Sequence, residues 1–202
     1  MKFYNFVYKY LGPLFRWVFR LEVVGSENEP KEGGFLACPN HISNWDVIIL
    51  AIALHRPVRF FAKAELFKVP LLKQLVSSLG AFPASRGTAD LGALKKTINL
   101  LKEGNIVGFF PQGTRHPGED PRQTEVKHGV AMITHRGGAP ILPVYIETKN
   151  NKILPFRKVK VALGKLINAD ELGMEKGGKE EYDRASKYVF SKITDLMDNA
   201  DE

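Results

Sequence analysis

The sequence is short of several things, and each shortage excludes something. Its 202 residues include one cysteine, Cys38, which rules out an internal disulfide framework and fits a reducing compartment. It contains no run of about 18 uncharged apolar residues, the length a membrane-spanning helix requires. Its first twenty residues, "MKFYNFVYKYLGPLFRWVFR", contain no acid, and Lys9 and Arg16 interrupt any apolar stretch that a cleavable leader would need. Its five histidines show no His-x3-His spacing of the kind a metal site uses. Internal repeats, low-complexity tracts and flexible linkers are absent as well. What remains, 44% hydrophobic and 25% charged residues, is the composition of one folded domain long enough to close a sizeable core. The net charge of +7 favours polyanionic partners, which means nucleic acid, an anionic membrane or phosphorylated small molecules.

The N-terminal segment narrows that choice. It holds eight of the chain's 21 aromatic residues. On a helix Lys2, Lys9, Arg16 and Arg20 share one face, while Phe3, Val7, Tyr10, Leu14, Trp17 and Leu21 form an apolar stripe on another. A basic face opposite an aromatic one predicts a helix lying in the plane of an anionic bilayer interface, residues 1–20, ahead of a domain spanning 21–202. That places the protein as peripheral or monotopic, on the cytoplasmic face of a membrane. The competing reading is an ordinary first helix docked on the domain, which leaves the number of aromatics unexplained. Gly12-Pro13 predicts a kink or a split into two short helices. Nucleic acid is not expected as a partner, because no recognised module for it appears.

From residue 34 onward apolar runs alternate with helical patterns. Strands are predicted at 34–38, 58–61, 81–85, 105–110, 140–147 and 157–165. Helices are predicted at 44–54, opened by Ser43 or Asn44, at 64–80 with a break at Pro70, and at 89–103, capped by Thr88. Two more are predicted at 125–137 and near 178–197. This alternation predicts an α/β fold with a mostly parallel sheet flanked by helices, its ligand site beyond the carboxyl ends of the strands.

Three stretches would meet at that rim. "CPNHISNWD" follows the first of these strands; with His41 in the turn and Asp46 in the first turn of the next helix, the carboxylate can reach back to an imidazole N–H. Asp46 would then fix the tautomer and His41 would take a proton. The His-x4-Asp spacing is weak evidence alone. "GAFPASRG" puts Arg86 after a second strand, and "FFPQGTRHPG" puts Gly113, Thr114 and Arg115 after a third, where guanidinium groups suit a phosphate. Cys38, three residues before His41, reads as a buried structural thiol rather than a nucleophile. His116, His128 and His135 read as surface or helix residues, and Lys127 as a solvated one.

In order and spacing, His41–Asp46, the Gly80–Arg86 block, Phe110-Pro-Gln-Gly-Thr-Arg115 and "ILPVYIE" (141–147) resemble the four motif blocks of the glycerolipid acyltransferases, most closely the bacterial 1-acylglycerol-3-phosphate acyltransferases. The likeness runs from about Leu21 to Ile167. It implies that His41 is the general base for the acceptor's hydroxyl and Asp46 its orienter. The donor would be a thioester of acyl carrier protein or coenzyme A, and the acceptor a lysophospholipid, with no cofactor, metal or covalent acyl-enzyme. Arg86, Gly113, Thr114 and Arg115 would hold the acceptor's phosphate, Lys63 would help stabilise the oxyanion, and Pro143 and Val144 would shape the pocket. Where the family usually has Glu, this chain has Gln112, which leaves the acceptor or the phosphate-site geometry open. The alternatives are an acyltransferase for another lysolipid, and a non-catalytic lipid-binding protein of the same fold.

Overall fold

The computed structural model describes residues 2–84 and 91–197. The chain opens with helix α1 (Lys2–Val18) and continues as β1 (Leu21–Val24), β2 (Phe35–Pro39), α2 (Asp46–Ala53), β3 (Val58–Lys63), α3 (Pro70–Ser78) and β4 (Phe82–Ala84). It then forms α4 (Leu91–Lys102), β5 (Ile106–Gly108), α5 (Gly129–Gly137), β6 (Ile141–Thr148), β7 (Val159–Leu163) and α6 (Lys179–Thr194). The strands make one seven-stranded sheet in the order β1-β7-β6-β2-β5-β3-β4. Every pairing is parallel except β6 with β7, so β1 and β7 run opposite to the other five. The predicted α/β architecture stands.

Strand periodicity sorts the core into two layers. Along β2, Phe35 and Ala37 enter a cluster with residues of α2, while Leu36 and Cys38 enter one with residues of α4, α5 and α6. In β6, Leu142, Val144 and Ile146 join the first layer, and Ile141 and Tyr145 the second. Each such fully buried large side chain contributes about 1.5–3 kcal/mol of transfer free energy. β2 and β6 are buried on both faces, as central strands of such a sheet must be. At Gly108 a Cβ would collide with the Phe60 ring, so glycine there lets that ring lie across β5.

Three local expectations change. α1 runs unbroken through Pro13 rather than splitting, because it is pinned along its length. The Tyr4 and Tyr8 hydroxyls donate to the carbonyls of Ala51 and Leu54, and the Arg16 guanidinium donates to that of Ile52. Those carbonyls lie at the C-terminal end of α2, where a cation is favoured. Arg16 therefore serves docking instead of a free basic face. β1 was not foreseen; four half-buried residues, Leu-Glu-Val-Val, are too few for periodicity to register. α2 starts at Asp46 with Trp45, not Ser43 or Asn44, at its N-cap position. The predicted Thr88 cap lies outside the described residues.

α1 is both docked and amphipathic. Tyr4 and Phe19 are buried, Phe15 packs against the same layer, and Phe3, Phe6, Tyr10, Leu11, Leu14 and Trp17 face outward. Among the described residues, no helix is long and apolar enough to cross a membrane.

Candidate active site

The carboxyl ends of β2, β5 and β6 share one rim with the start of β7 and the chain entering β1, because the last two strands are reversed. At this rim β2 releases "NHIS". Asn40 is fully buried and its amide makes a two-bond clasp on β6, donating to the Ile146 carbonyl (3.0 Å) and accepting the Ile146 N–H (2.7 Å). The clasp turns the chain so that His41 stands at the surface of the rim.

His41 Nδ1 lies 2.7 Å from Asp46 Oδ2. The same oxygen accepts the backbone N–H groups of Ile42 (2.7 Å) and Ser43 (2.8 Å), so Asp46 braces the loop from the first position of α2. With two backbone donors already on Oδ2, the imidazole must bring its own proton, on Nδ1. Nε2 is left as the basic nitrogen. The His41 side chain is 15% exposed and Asp46 is fully buried, so what exposure the pair has belongs to the imidazole, which borders the cleft described below. The Phe110 ring stacks on the imidazole, with centroids 3.9 Å apart and planes at 24°, and holds its face. The dyad expected from the sequence is assembled.

The main chain of His41 is clamped from both sides by the loop after β5. Its N–H donates to Gln112 Oε1 (2.6 Å), and its carbonyl accepts the His116 N–H (2.8 Å). Gln112 is 1% exposed and turned inward, its Nε2 donating to Thr124 Oγ1 (2.7 Å), which itself donates to the Pro121 carbonyl (2.7 Å). In this structure the residue that departs from the family pattern faces the backbone of the loop that carries His41, not the outward Gly113–Arg115 turn.

Gly113 sits at φ 71°, in the left-handed region, where glycine carries no Cβ penalty. This turn throws Thr114 and Arg115 outward. Arg115 Nη1 donates to Asn44 Oδ1 (2.6 Å), which braces one edge of the guanidinium. Thr114 Oγ1 lies 3.2 Å from His116 Nε2, and His116 Nδ1 lies 3.0 Å from Glu119; with Nδ1–H given to Glu119, Nε2 accepts the threonine hydroxyl. His41, Ser43, Asn44, Gly113, Thr114 and Arg115 border an open cleft of about 540 Å³.

The structure thus brings together His41, Asp46, Gly113, Thr114 and Arg115. Lys63 ends β3 on the same rim, its side chain outside the described part, and Arg86 lies outside the described residues. Pro143 and Val144 do not border the cleft: they pair with Cys38 and Pro39 within the sheet and support the end of β2 from beside it. Cys38 is fully buried and burial pushes its thiol pKa up, away from the thiolate a nucleophile needs. Lys127 is exposed and pairs with Glu125 at 2.8 Å. Sequence reasoning did not single out Asn40 or Thr124, and it read Asn44 as a helix cap, His116 as a surface or helix residue and Phe110 only as part of a motif block, without the contacts they make here. For Asn40 and Asn44, the only signal was two amides within the loop that carries the dyad.

A buried carboxylate orienting a half-sheltered histidine, beside a glycine turn presenting an arginine, suits transfer of a group to a hydroxyl on an anionic acceptor. Sequence comparison agrees in class. A family model described as Acyltransferase matches residues 20–147, and the chain belongs to that family. A 1-acyl-sn-glycerol-3-phosphate acyltransferase of Bacillus subtilis is 29% identical over 186 residues, 90% of each chain. One of Borreliella burgdorferi is 31% identical over 134 residues, 65% of this chain and 53% of that protein, so this chain spans about half of some relatives and nearly all of others. The crystal structure of the 1-acyl-sn-glycerophosphate acyltransferase PlsC from Thermotoga maritima superposes with a TM-score of 0.71 at 28% identity. It matches over 96% of this chain and 79% of that one.

Proposed function

We propose that the chain transfers a fatty acyl group from an acyl thioester to the free hydroxyl of 1-acylglycerol-3-phosphate, giving phosphatidic acid for phospholipid synthesis. The observation that carries the reading is the single geometry in which Asp46 fixes His41 with Nε2 free, beside the Gly113–Arg115 turn.

His41 Nε2 accepts the proton of the acceptor hydroxyl as its oxygen attacks the thioester carbonyl. The C–O bond forms, the carbonyl electrons move to oxygen, and a tetrahedral intermediate results. Its collapse breaks the C–S bond, and the departing sulfur takes the proton back from Nε2. Atoms and charge balance without an acyl-enzyme. Asp46 counters the positive charge on the imidazole between the two proton transfers. Arg115, with one edge held by Asn44, offers its remaining N–H groups to the acceptor's phosphate, together with the Gly113–Thr114 backbone and Arg86. Lys63 is assigned to the developing oxyanion.

The donor is a thioester of acyl carrier protein or coenzyme A, and the acceptor is met at an anionic membrane surface on the cytoplasmic side. The outward apolar residues of α1, Phe3, Phe6, Tyr10, Leu11, Leu14 and Trp17, support residues 1–20 as the interfacial segment and 21–202 as the acyltransferase domain. Incubating the purified protein with a labelled acyl donor and a panel of lysolipids tests this. Label should pass to 1-acylglycerol-3-phosphate in preference to lysolipids with larger headgroups. Preference for another lysolipid would make that the acceptor, and no transfer to any would leave only a lipid-binding role.

A further inference from the structure

Beyond the catalytic cleft, the same rim carries a basin of about 740 Å³ bordered by Arg20, Lys149, Arg157, Lys158 and Lys160, with Glu147 as its one lining acid. Glu22 stands next to it and pairs with Lys158 at 2.7 Å. Five cations thus face two carboxylates. Arg20, Lys149 and Arg157 are exposed, and none of them forms an ion pair with a described residue. At its edge Phe156 is 62% exposed and meets Trp17, 67% exposed, ring edge to face at 5.6 Å and 81°. Leu154 is exposed beside them in sequence.

The backbone is bent to make this arrangement. The non-glycine residues with positive φ among the described ones are Arg20 (44°), Asn150 (59°), Asn151 (48°) and Phe156 (62°), and all lie in the two segments that border the basin. For a bulky residue such as Phe156 this is an outlier that surrounding contacts must impose. Those contacts are main-chain ties between the β6–β7 loop and the end of α1: the Phe156 N–H donates to the Val18 carbonyl and the Val159 N–H to that of Phe19. An apolar ring held out in solvent, against the steric preference of its own backbone and among cations, does not serve the core.

We infer that this basin receives the phosphate-bearing headgroups of an anionic bilayer, with Phe156, Trp17 and Leu154 entering the acyl region beside them. Apolar anchors beside five cations, three of them exposed and without an ion pair among the described residues, fit a lipid surface better than a soluble anion, which would have no use for the exposed rings. The surface continues the outward face of α1, and in that respect it rests on the membrane reading of that helix. It is also joined to the acceptor loop: the Gly118 N–H donates to the Asn151 carbonyl (3.0 Å) and Asn151 Nδ2 donates to the Glu119 carbonyl (2.8 Å). Seating the basin on a bilayer therefore sets the mouth of the cleft at the headgroup level, where a lysolipid's phosphate lies.

The test uses the full chain and two variants, Lys149→Gln/Arg157→Gln and Phe156→Gly. Glycine adopts the left-handed backbone freely, so the second variant removes the ring without burdening the fold; circular dichroism checks both. Sedimentation is measured with phosphatidylcholine–phosphatidylglycerol vesicles and with phosphatidylcholine alone. The double variant should lose roughly thirtyfold in partitioning to the anionic vesicles, from two cations at the surface, and little to the neutral ones. Phe156→Gly should weaken binding to both. Transfer to dissolved lysolipid without vesicles should be unchanged, so loss of binding is read independently of turnover. A chain that binds vesicles as described but transfers no acyl group would refute the proposed function and leave this inference standing. Full binding by both variants would overturn the inference. So would displacement by inorganic phosphate at an ionic strength where chloride has no effect, which indicates a free-phosphate site. A raised KM for an acyl carrier protein donor with vesicle binding intact would overturn it in favour of protein docking.

Discussion

Replacing Asp46 by asparagine separates what its shape does from what its charge does. In the structure three donors converge on Oδ2, from His41 Nδ1, Ile42 N and Ser43 N, while Oδ1 is buried with no partner. Asparagine meets that set in one orientation only, its amide oxygen in the place of Oδ2. The loop and the Nδ1–H tautomer of His41 should both survive, and the change removes the charge. Three bonds to a charged acceptor become neutral ones, a loss of about 1 kcal/mol each, partly offset because a buried amide is cheaper to desolvate than a carboxylate. Stability should fall by about 1–3 kcal/mol. In the transition state the missing charge faces an imidazolium; a unit pair at about 4 Å is worth about 4 kcal/mol at an effective dielectric of 20, so kcat should fall about 10²- to 10³-fold. Saturation kinetics and urea denaturation of the same preparation measure both. The expected result is a large fall in kcat, little change in either KM, and a cooperative transition at lower urea. A kcat within a few-fold of the parent would refute the reasoning and leave Asp46 as a loop brace only.

The remaining expectations follow from particular contacts. Gln112→Glu keeps an acceptor for the His41 N–H but faces Thr124, whose proton serves Pro121, with an acceptor in place of a donor; the cost should be about 1–3 kcal/mol at neutral pH. Because the new buried carboxyl titrates higher in the folded chain than in the unfolded one, the penalty should grow as pH rises and fade in acid; a Tm equal to the parent's across that range would contradict it. Arg115→Lys cannot hold Asn44 and a phosphate in one plane, so the acceptor's KM should rise about tenfold or more with the donor's unchanged, and an equal rise in both would place Arg115 elsewhere. Cys38, buried with its pKa raised, should resist iodoacetamide until urea unfolds the chain, and inactivation of the folded protein by that reagent would restore the thiol as a candidate.

The sequence made legible those features that depend on short spans of chain. Alternating apolar runs located six of the seven strands, and β1 escaped because four half-buried residues carry no period. His41 and Asp46 could be paired in advance because a turn followed by a helix start fixes their distance locally. Gln112 could not be read. Whether a residue at the mouth of a turn faces the ligand or the core depends on partners such as Thr124 and His41, which lie far from it in sequence. Asn44 was a reasonable helix cap by type, but Asp46 already satisfies the loop and leaves its amide for Arg115. For α1, docking and an outward apolar face are both present, since seventeen residues of helix have faces enough for each.

The claim on which the rest depends is that His41 Nε2 takes the acceptor's proton. His41→Ala removes that atom and leaves the backbone, whose N–H and carbonyl carry the bonds to Gln112 and His116, so the variant should fold with its cleft intact. With labelled acyl thioester and 1-acylglycerol-3-phosphate, kcat should drop at least about 10²-fold, the low end for a lost general base, with vesicle sedimentation unchanged. Turnover at the parent rate by a folded His41→Ala protein would contradict the mechanism.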